Sequence, residues 1–438
     1  MRIRSFSLPV LPNSCWWGGL IFGVILRLGY AWLLGDQWLA GDGGEYYEDA
    51  LRWGRGEFPP PFWPPGLSWY LAGWFQLMGD GTVSAAAGML LWYVALGVCW
   101  HWAAKKHLSL QIAIWGQGLL AVYPTLIHHS VVPLSQLPVA VALLICWWAY
   151  LAIKQSEKLS ILWLSIMGLS LLVAVMIRPA SLVIAPLCFW LSFRALPATS
   201  RRWLSIPILI LLLGIGSWQG LLWQQTGRWI WINEGNSMNV WIGNNAWTPD
   251  YRTWWLGSHD EGENPVFRGF YEQRAEIRAL PAAQHASAFL QAAIEHIQQH
   301  PSQFLWRTAN RIRTFLVIDT YAAGTWKNSH PGLGILCLLV DAVVWILIMA
   351  GILWGGASSN QSLWLLGGIC LLYALPYFFT FSHPTYRLAV FPLFLWLAGS
   401  RTKSRHTSGS NRRITMVWMT IFLLLQVEWV LRLLFLET

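Results

Sequence analysis

The sequence predicts an all-α protein that crosses a membrane many times, and three observations support this fold class. Of its 438 residues, 55% are hydrophobic and only 11% are charged, whereas about a quarter of the residues in a soluble domain are charged. Apolar runs recur along the chain, and a membrane span needs roughly 20 apolar residues. Because backbone groups inside lipid must bond to one another, these runs are expected to be helices.

About eleven runs are long and apolar enough to be considered as membrane helices. A further run at 65–79 fits either a short membrane helix or an interfacial one. The eleven predicted spans are 16–35, 82–104, 108–126, 133–153, 159–177, 179–195, 203–223, 332–354, 362–381, 384–400 and 414–436.

The positive charges predict the orientation of the chain. The formal net charge is +9, and lysines and arginines concentrate in cytoplasmic loops beside anionic lipid. No basic segment is interleaved with aromatic residues as in a nucleic-acid-binding domain, so DNA and RNA are not expected partners. With the amino terminus inside, the cytoplasmic clusters are Arg2 with Arg4, Lys105 with Lys106, Lys154 with Lys158, Arg194 with Arg201 and Arg202, and the loop 401–413.

This orientation divides the chain into three parts. Residues 1–223 form an amino-terminal transmembrane module with a first outer loop at 36–81, residues 224–331 form a large outer loop, and residues 332–438 return to the membrane. Within the large loop we expect a helical stretch from Phe270 to Phe315. Its end, 300–316, has apolar residues at helical spacing, which predicts an amphipathic helix on the membrane surface.

The first outer loop concentrates acidic residues beside a proline-rich segment. Asp42 and Glu45 are three residues apart, so they share one face of a helix that begins near Gly43. In one interpretation Asp42 caps this helix and Glu45 is merely solvated. In the other, the prolines of "FPPPFWPPGLSWY" (58–70), which cannot form a regular helix, hold the acids over the membrane helices. A carboxylate pair held there suits a base acting on a hydroxyl group, with or without a metal ion.

Four arginines lie in or at the ends of apolar runs, where charge is costly and usually functional. Arg178 and Arg387 fall at outward-facing helix ends, Arg27 lies within the first span, and Arg432 lies near the outer end of the last. Arginine suits phosphate recognition, although a position at the lipid headgroups is the alternative explanation.

Histidines occur at two outward-facing positions. His383 lies close to Tyr386 and Arg387, a combination that suits an anionic headgroup. His128 and His129 are adjacent, so they point to different sides of a helix. That spacing is poor for a shared metal ion.

Seven segments together resemble the GT-C membrane glycosyltransferases, in the group of glycosyltransferase family 39 that includes dolichyl-phosphate-mannose protein mannosyltransferases and aminoarabinose transferases. The resemblance covers nearly the whole chain and rests on the order and spacing of its motifs. It implies a GT-C-type bundle of about eleven transmembrane helices. The motifs are "RLGYAWLL", "GDGGEYYEDALRWGRGEF", "FWPPGLSWYLAGWFQLMG", "MIRPASLVIAPL", "NVWIGNNAW", "HPSQFLWRTANRIRTFL" and "SHPTYRLAVFPLFLWLAG".

The resemblance implies an inverting enzyme that takes a sugar from a polyprenyl-phosphate donor at the outer face of the membrane. Asp42 then matches the essential acid and general base. Glu45 matches a second acidic position that assists a divalent metal (Mg, Mn or Zn) in some relatives, so both are candidate metal ligands. Where many relatives carry a glutamate after the third span, this chain has Gln136, which leaves metal dependence open.

The remaining expectations complete the site and its surroundings. The acceptor is a lipid, a glycan or a protein, and the expected location is the bacterial inner membrane, with the amino terminus in the cytoplasm and the site facing outward.

We expect donor-phosphate contacts from Arg387, Arg178, Tyr386, His383 and Arg27, and substrate contacts from Tyr46, Tyr47 and Gln136.

Three other functions are compatible with parts of the pattern. An O-antigen-ligase-like enzyme using a diphosphate carrier would also have a large late outer loop, but its important residues would lie there. A lipid or sugar transporter or flippase would favour internal repeats and mid-membrane charges near Arg27. A binding or scaffold protein would not need Asp42. The polar clusters at one face, without an internal repeat, favour the transferase.

Overall fold

The computed structural model describes residues 11–156, 161–250, 267–354, 361–402 and 409–435, and all regular structure in these ranges is helical. The predicted all-α class is confirmed. Within the described residues, 3-10 helices accompany the α-helices at Gln37–Ala40, Pro179–Ile184, Ala198–Leu204 and Pro384–Val390. The α-helices are α1 Ser14–Leu34, α2 Asp42–Gly54, α3 Pro65–Met78, α4 Thr82–His107, α5 Leu110–Val122, α6 Pro124–His129, α7 Gln136–Gln155, α8 Ile161–Ile177, α9 Ala185–Ala195, α10 Ser205–Thr226, α11 Gly235–Gly243, α12 Arg268–Ala279, α13 Ala282–Gln299, α14 Pro301–Leu316, α15 Tyr321–Thr325, α16 Pro331–Trp354, α17 Gln361–Phe379, α18 Phe391–Thr402 and α19 Gly409–Phe435.

Helices occupy all eleven predicted spans, but within the described residues six are long and apolar enough to cross a membrane. Four shorter apolar helices lie at Leu110–Val122, Ile161–Ile177, Pro179–Ala195 and Leu363–Phe379. Membrane character is therefore supported, while the count of eleven spans and the GT-C arrangement remain predictions. The six candidate spans are Ser14–Leu34, Thr82–His107, Gln136–Gln155, Ala198–Thr226, Pro331–Leu353 and Thr415–Arg432.

Helix α7 lies at the centre of the helical assembly. Most of its residues are buried, and it packs against α4, α8 and the 3-10 helix Pro384–Val390. The other candidate spans are much less buried and carry exposed apolar side chains, such as Trp32 on α1. Exposed apolar faces around a buried central helix are the pattern expected when lipid surrounds the assembly.

Helix α2 begins one residue earlier than predicted. Gly41 is its N-cap residue and Asp42 its first helical residue, and Asp42 is not the cap. Gly43 and Gly44 let the start of α2 lie against its neighbours, since a Cβ at Gly44 would come 1.9 Å from the carbonyl oxygen of Leu39, and one at Gly43 2.6 Å from Val132 Cγ1. This close approach fixes the first turn of α2, which carries Asp42 and Glu45.

The proline-rich segment ends sooner than predicted, because α3 begins at Pro65. Proline fits the first turn of a helix, where the missing N–H has no partner in any case. The irregular part, before Pro65, is hydrogen-bonded to the large outer loop (224–331). The carbonyl of Phe62 accepts hydrogen bonds from Asn233 Nδ2 (2.8 Å) and from the backbone N–H of Gly235 (3.2 Å). The prolines therefore do bring the first outer loop into contact with another part of the protein.

The helical stretch predicted from Phe270 to Phe315 is three helices, α12 to α14, interrupted near Pro281 and Pro301. Proline cannot continue a preceding helix but readily starts the next one. Residues 251–266, which belong to the same predicted loop, lie outside the described ranges, as do Arg2, Arg4, Lys158 and much of the loop 401–413.

Helix α14 presents its polar side inward. Arg307 donates hydrogen bonds to the carbonyls of Asn245 (2.8 Å) and Thr248, and Arg311 donates to the carbonyl of Gly243. Leu305 and Ile312 are exposed. Both arginines thus tie α14 to the segment that follows α11, while an apolar stripe faces outward. The position of α14 on the membrane surface stays a prediction.

Candidate active site

Asp42 lies in a cleft, with Glu45 and Arg178 close enough to influence its charge. Its side chain is accessible to solvent, yet the surrounding protein removes enough water to raise the pKa of the carboxyl group. The charge of Glu45 raises the pKa of Asp42 further, while the guanidinium of Arg178 opposes both effects. An accessible carboxylate that is also partly desolvated is the arrangement expected of a base in a binding cleft.

Arg178 follows the last residue of α8 and is half-buried. The Tyr373 hydroxyl hydrogen-bonds to the guanidinium, which also lies over the rings of Tyr386 (4.5 Å) and Tyr377 (5.4 Å). Its Nη1 atom has no hydrogen-bond partner among the described residues. The tyrosines therefore orient the cation and leave one donor nitrogen available for a ligand.

Glu45 is exposed and is oriented by an aromatic residue of the proline-rich segment. The indole N–H of Trp63 donates to Glu45 Oε2 at 2.5 Å. The Trp63 ring packs against Tyr46, with 5.0 Å between ring centroids. Tyr46 is buried, and its hydroxyl bonds to Ser135. Burial raises the pKa of Tyr46, so this residue stays neutral beside Asp42 and Arg178.

Tyr47 does not join this cleft. Its hydroxyl donates to the carbonyl of Asp80, and its ring lies edge-on to Trp38 (5.7 Å) and Phe75 (5.5 Å). Successive helical residues point about 100° apart, so Tyr46 and Tyr47 face different neighbours. The structure assigns Tyr47 to packing of α2 against α3.

His383 and Tyr386 are both half-buried beside the cleft. His383 caps the 3-10 helix Pro384–Val390, where its Nδ1 accepts the backbone N–H of Thr385 at 3.1 Å. Tyr386 interacts electrostatically with both Arg178 and Asp42. The 3-10 helix therefore places Tyr386 near Arg178 and Asp42, and its contact with a donor stays a prediction.

Arg387 and Arg27 are fully buried among protein partners. Arg387 Nη2 lies 3.6 Å from Asp341 Oδ1, and its Nη1 donates to the carbonyl of Val317. Arg27 donates to Ser130 Oγ (3.0 Å) and to three carbonyls, over the ring of Tyr93. These contacts hold both guanidinium groups inside the protein, although Nε and Nη2 of Arg387 have no hydrogen-bond partner among the described residues. Arg178 is the arginine that interacts electrostatically with Asp42.

Gln136, at the start of α7, is buried beside His129. Tyr321, the first residue of α15, lies with its ring 5.7 Å from His383 and 6.0 Å from His129, and it interacts electrostatically with Asp42. The sequence analysis did not select Tyr321, because no motif surrounds it and its neighbours come from distant segments. Its aromatic character just before a predicted span was the only available signal.

The two carboxylates of Asp42 and Glu45 fit part of a divalent-metal site. Magnesium commonly takes one or two protein carboxylates and completes its shell with water and substrate phosphate. Among the residues that the structure describes, no group of three or more histidine, cysteine, aspartate or glutamate side chains is arranged to hold a metal ion. Metal binding at Asp42 and Glu45 remains a prediction that depends on ligands from a substrate.

Comparisons with known proteins do not identify the chain. No protein-family model matches it, and searches of curated proteins and of solved structures also find no match.

Proposed function

We propose that the chain is a membrane glycosyltransferase that moves a sugar from a polyprenyl-phosphate donor to an acceptor hydroxyl at the outer face of the membrane. The observation that carries the proposal is the pairing of an accessible, partly desolvated Asp42 with Arg178 in one cleft. Six helices able to cross a membrane provide the setting that a lipid-linked donor requires.

The cleft supplies a base and a cation for the two ends of a displacement reaction. Asp42 accepts the proton of the acceptor hydroxyl as its oxygen attacks the anomeric carbon. The bond from that carbon to the phosphate oxygen breaks, and its electrons remain on the phosphate. Arg178 stabilises the resulting negative charge. Direct displacement by the acceptor inverts the anomeric centre.

The environment of Asp42 suits this role in a second respect. Burial and the charge of Glu45 raise the pKa of Asp42, and a carboxylate with a raised pKa is a stronger base than an ordinary aspartate. The guanidinium of Arg178 opposes this rise in the pKa of Asp42 and favours the ionised carboxylate. A divalent ion at Asp42 and Glu45 would supply further charge stabilisation for the phosphate.

The arrangement of the other arginines favours an enzyme over a transporter. If the protein were a transporter, we would expect Arg27 to contact the substrate in the middle of the membrane. Its guanidinium instead contacts Ser130, backbone carbonyls and the Tyr93 ring. The accessible polar groups instead gather at the cleft beside α2. The acceptor is proposed only as a lipid, glycan or protein hydroxyl, and the bacterial inner membrane is the proposed location.

The experiment that tests this function presents purified protein in liposomes with labelled polyprenyl-phosphate sugars and a membrane extract as acceptor. Parallel samples contain the same sugars on a polyprenyl diphosphate, or contain EDTA. We expect transfer from the monophosphate donor and not from the diphosphate. Transfer from the diphosphate alone would indicate the ligase-like reaction, and movement of intact donor across the bilayer without transfer would indicate a flippase. Loss of transfer in EDTA would support the divalent ion.

A further inference from the structure

His129 is a buried polar residue with spare hydrogen-bonding capacity. It is 1% exposed, and Gln136 hydrogen-bonds to its ring, so at least one ring nitrogen is left without a partner among the described residues. Its neighbour His128 is equally enclosed, but Nδ1 of His128 is hydrogen-bonded to the Tyr30 hydroxyl at 2.8 Å. Leaving a buried polar group unpaired costs about 1–3 kcal/mol, so an unpaired nitrogen at this position calls for an explanation.

The surroundings of His129 favour a partner that carries negative charge. Arg178 and His383 both interact electrostatically with its ring. Burial, followed by the charges of His128 and Arg178, lowers the pKa of His129 well below its ordinary value. A neutral imidazole keeps one N–H donor and one acceptor nitrogen. An anionic oxygen can take the N–H of His129 together with a donor hydrogen of Arg178.

The Nη1 atom of Arg178 supplies the second unused donor. It is buried and has no hydrogen-bond partner in the described part of the chain, although the rest of the guanidinium is held by tyrosines. Two side chains with spare hydrogen-bonding capacity, from α6 and the end of α8, thus interact electrostatically with each other. Phosphate oxygens suit such a pair, because they accept several charge-assisted hydrogen bonds at once.

We propose that His129 and Arg178 together form the subsite for the donor phosphate, with the neutral ring of His129 donating a hydrogen bond to a phosphate oxygen that Arg178 also binds. This inference rests on the proposed function, because it assigns the phosphate of that donor to two residues. It gives a direct role in substrate binding to a histidine that the sequence analysis considered only as a poor metal ligand.

Tyr321 lies beside this subsite. Its ring is 5.0 Å from that of His128 and 6.0 Å from that of His129, and 41% of its surface is exposed. The backbone N–H of Tyr321 donates to Asp319 Oδ1 at 2.9 Å. In this proposal the Tyr321 side chain rotates away when the phosphate binds, while its backbone stays in place.

Binding measurements on the full-length protein in nanodiscs test the subsite. The probes are an isoprenyl monophosphate, the corresponding isoprenol, inorganic phosphate and phosphatidylglycerol. The variants are His129→Leu, His129→Gln and, as the matched control, His128→Gln. We expect His129→Leu to weaken isoprenyl phosphate binding about tenfold or more, since a hydrogen bond to a charged group is lost. His129→Gln keeps an N–H donor and retains most of the affinity, and isoprenol binds all proteins equally weakly.

Stability distinguishes a binding role from a packing role. His129→Leu removes a buried polar group of which at least one nitrogen is unpaired, so its melting temperature should stay close to that of wild type, whereas His128→Gln should lower the melting temperature without weakening phosphate binding. Equal affinities of wild type and His129→Leu would overturn the inference while leaving the proposed function intact, as would a loss of affinity that accompanies a loss of stability.

The remaining probes identify the source of the phosphate. His129-dependent binding of phosphatidylglycerol or inorganic phosphate with the affinity of the isoprenyl phosphate would overturn assignment to the donor. Failure of wild type to bind isoprenyl phosphate at all would instead contradict the proposed function itself.

Discussion

Arg387 Nη2 lies 3.6 Å from Asp341 Oδ1, and neither side chain is accessible to solvent. Asp341 also accepts hydrogen bonds from Thr125 Oγ1 (2.9 Å) and from the backbone N–H of Asp319 (3.1 Å). These contacts join α6, α16, the segment before α15 and the 3-10 helix Pro384–Val390. Those elements carry His129 and Tyr386 and are adjacent in sequence to Tyr321 and His383, so the pair fixes the elements that surround the cleft.

Replacing Arg387 should therefore destabilise the protein. Arg387→Met leaves Asp341 without its cation, and removal of one partner from a buried ion pair costs about 3–5 kcal/mol. The double variant Arg387→Met/Asp341→Leu should recover much of this loss, because no uncompensated charge remains. Thermal unfolding in detergent measures both effects. An Arg387→Met protein as stable as wild type, but with weakened donor binding, would show that Arg387 is a phosphate ligand instead.

Replacing Arg178, in contrast to replacing Arg387, should weaken the interaction with the donor. Arg178→Gln removes a charge-assisted donor to the phosphate, a contact worth about 1.5–3 kcal/mol, so we expect the KM for the donor to rise tenfold or more. Arg178→Lys keeps the charge but not the planar fork and should be intermediate. Steady-state transfer kinetics give the comparison, with Arg194→Gln at the end of α9 as the control. A donor KM unchanged in Arg178→Gln would remove this residue from the site.

The transfer rate should rise with pH above the range in which an ordinary aspartate ionises. Asp42 acts as a base only when it is deprotonated, and burial raises its pKa. Asp49 is the control, because burial, Glu45 and Glu48 raise the pKa of Asp49 to about 6 although it has no assigned role. We expect Asp49→Asn to leave the pH–rate profile unchanged. A profile that shifts with Asp49→Asn would identify the wrong titrating group.

The same pKa shifts have a consequence for stability. A carboxyl group whose pKa is raised by folding holds its proton more tightly in the folded state, so stability falls as pH rises from the unfolded pKa through the folded one. Asp49 contributes over the interval from an ordinary aspartate value to about 6. Unfolding measured across this interval should show a weaker decline for Asp49→Asn than for wild type. An unchanged decline would contradict the raised pKa.

Alanine substitutions at the glycines near the start of α2 should differ in their effects on transfer and stability. A Cβ at Gly44 would meet the Leu39 carbonyl oxygen at 1.9 Å, whereas one at Gly41 would have no atom within 4 Å. We expect Gly44→Ala to displace the first turn of α2, lowering both transfer and melting temperature. Gly41→Ala should lose at most about 1 kcal/mol, the usual effect of alanine at an N-cap. Similar behaviour of the two variants would contradict the packing described for this turn.

The helices were predictable because hydropathy acts locally along the chain. Each predicted span coincides with helical structure, and the largest errors fall at prolines, where α3 begins early and the stretch after Phe270 divides. A proline near a predicted helix permits either a break or a new start, and sequence alone does not choose between them. The number of spans was less predictable, since four apolar helices of the described chain are shorter than the roughly 20 residues that a membrane span needs.

The site was only partly predictable, because its partners come from distant segments. The sequence selected Asp42, Arg178 and Tyr386, which the structure brings together. It did not distinguish Arg178 from Arg387, since both are arginines at the ends of apolar runs. Asp341, an isolated acid within a predicted span, was the available signal that Arg387 had an internal partner. His129 could not be ranked, because its lack of a hydrogen-bond partner is a property of the folded protein.

The central claim, that Asp42 is the base of a polyprenyl-phosphate sugar transferase, is tested most directly by single-turnover transfer in liposomes. Wild type, Asp42→Asn and Glu48→Gln would receive the same labelled donor and acceptor, and donor binding would be measured beside transfer. Glu48 is an exposed acid on the same helix and serves as the control. We predict transfer by wild type and Glu48→Gln, and a loss of at least a hundredfold in Asp42→Asn with donor binding retained. Equal transfer by wild type and Asp42→Asn would contradict the account.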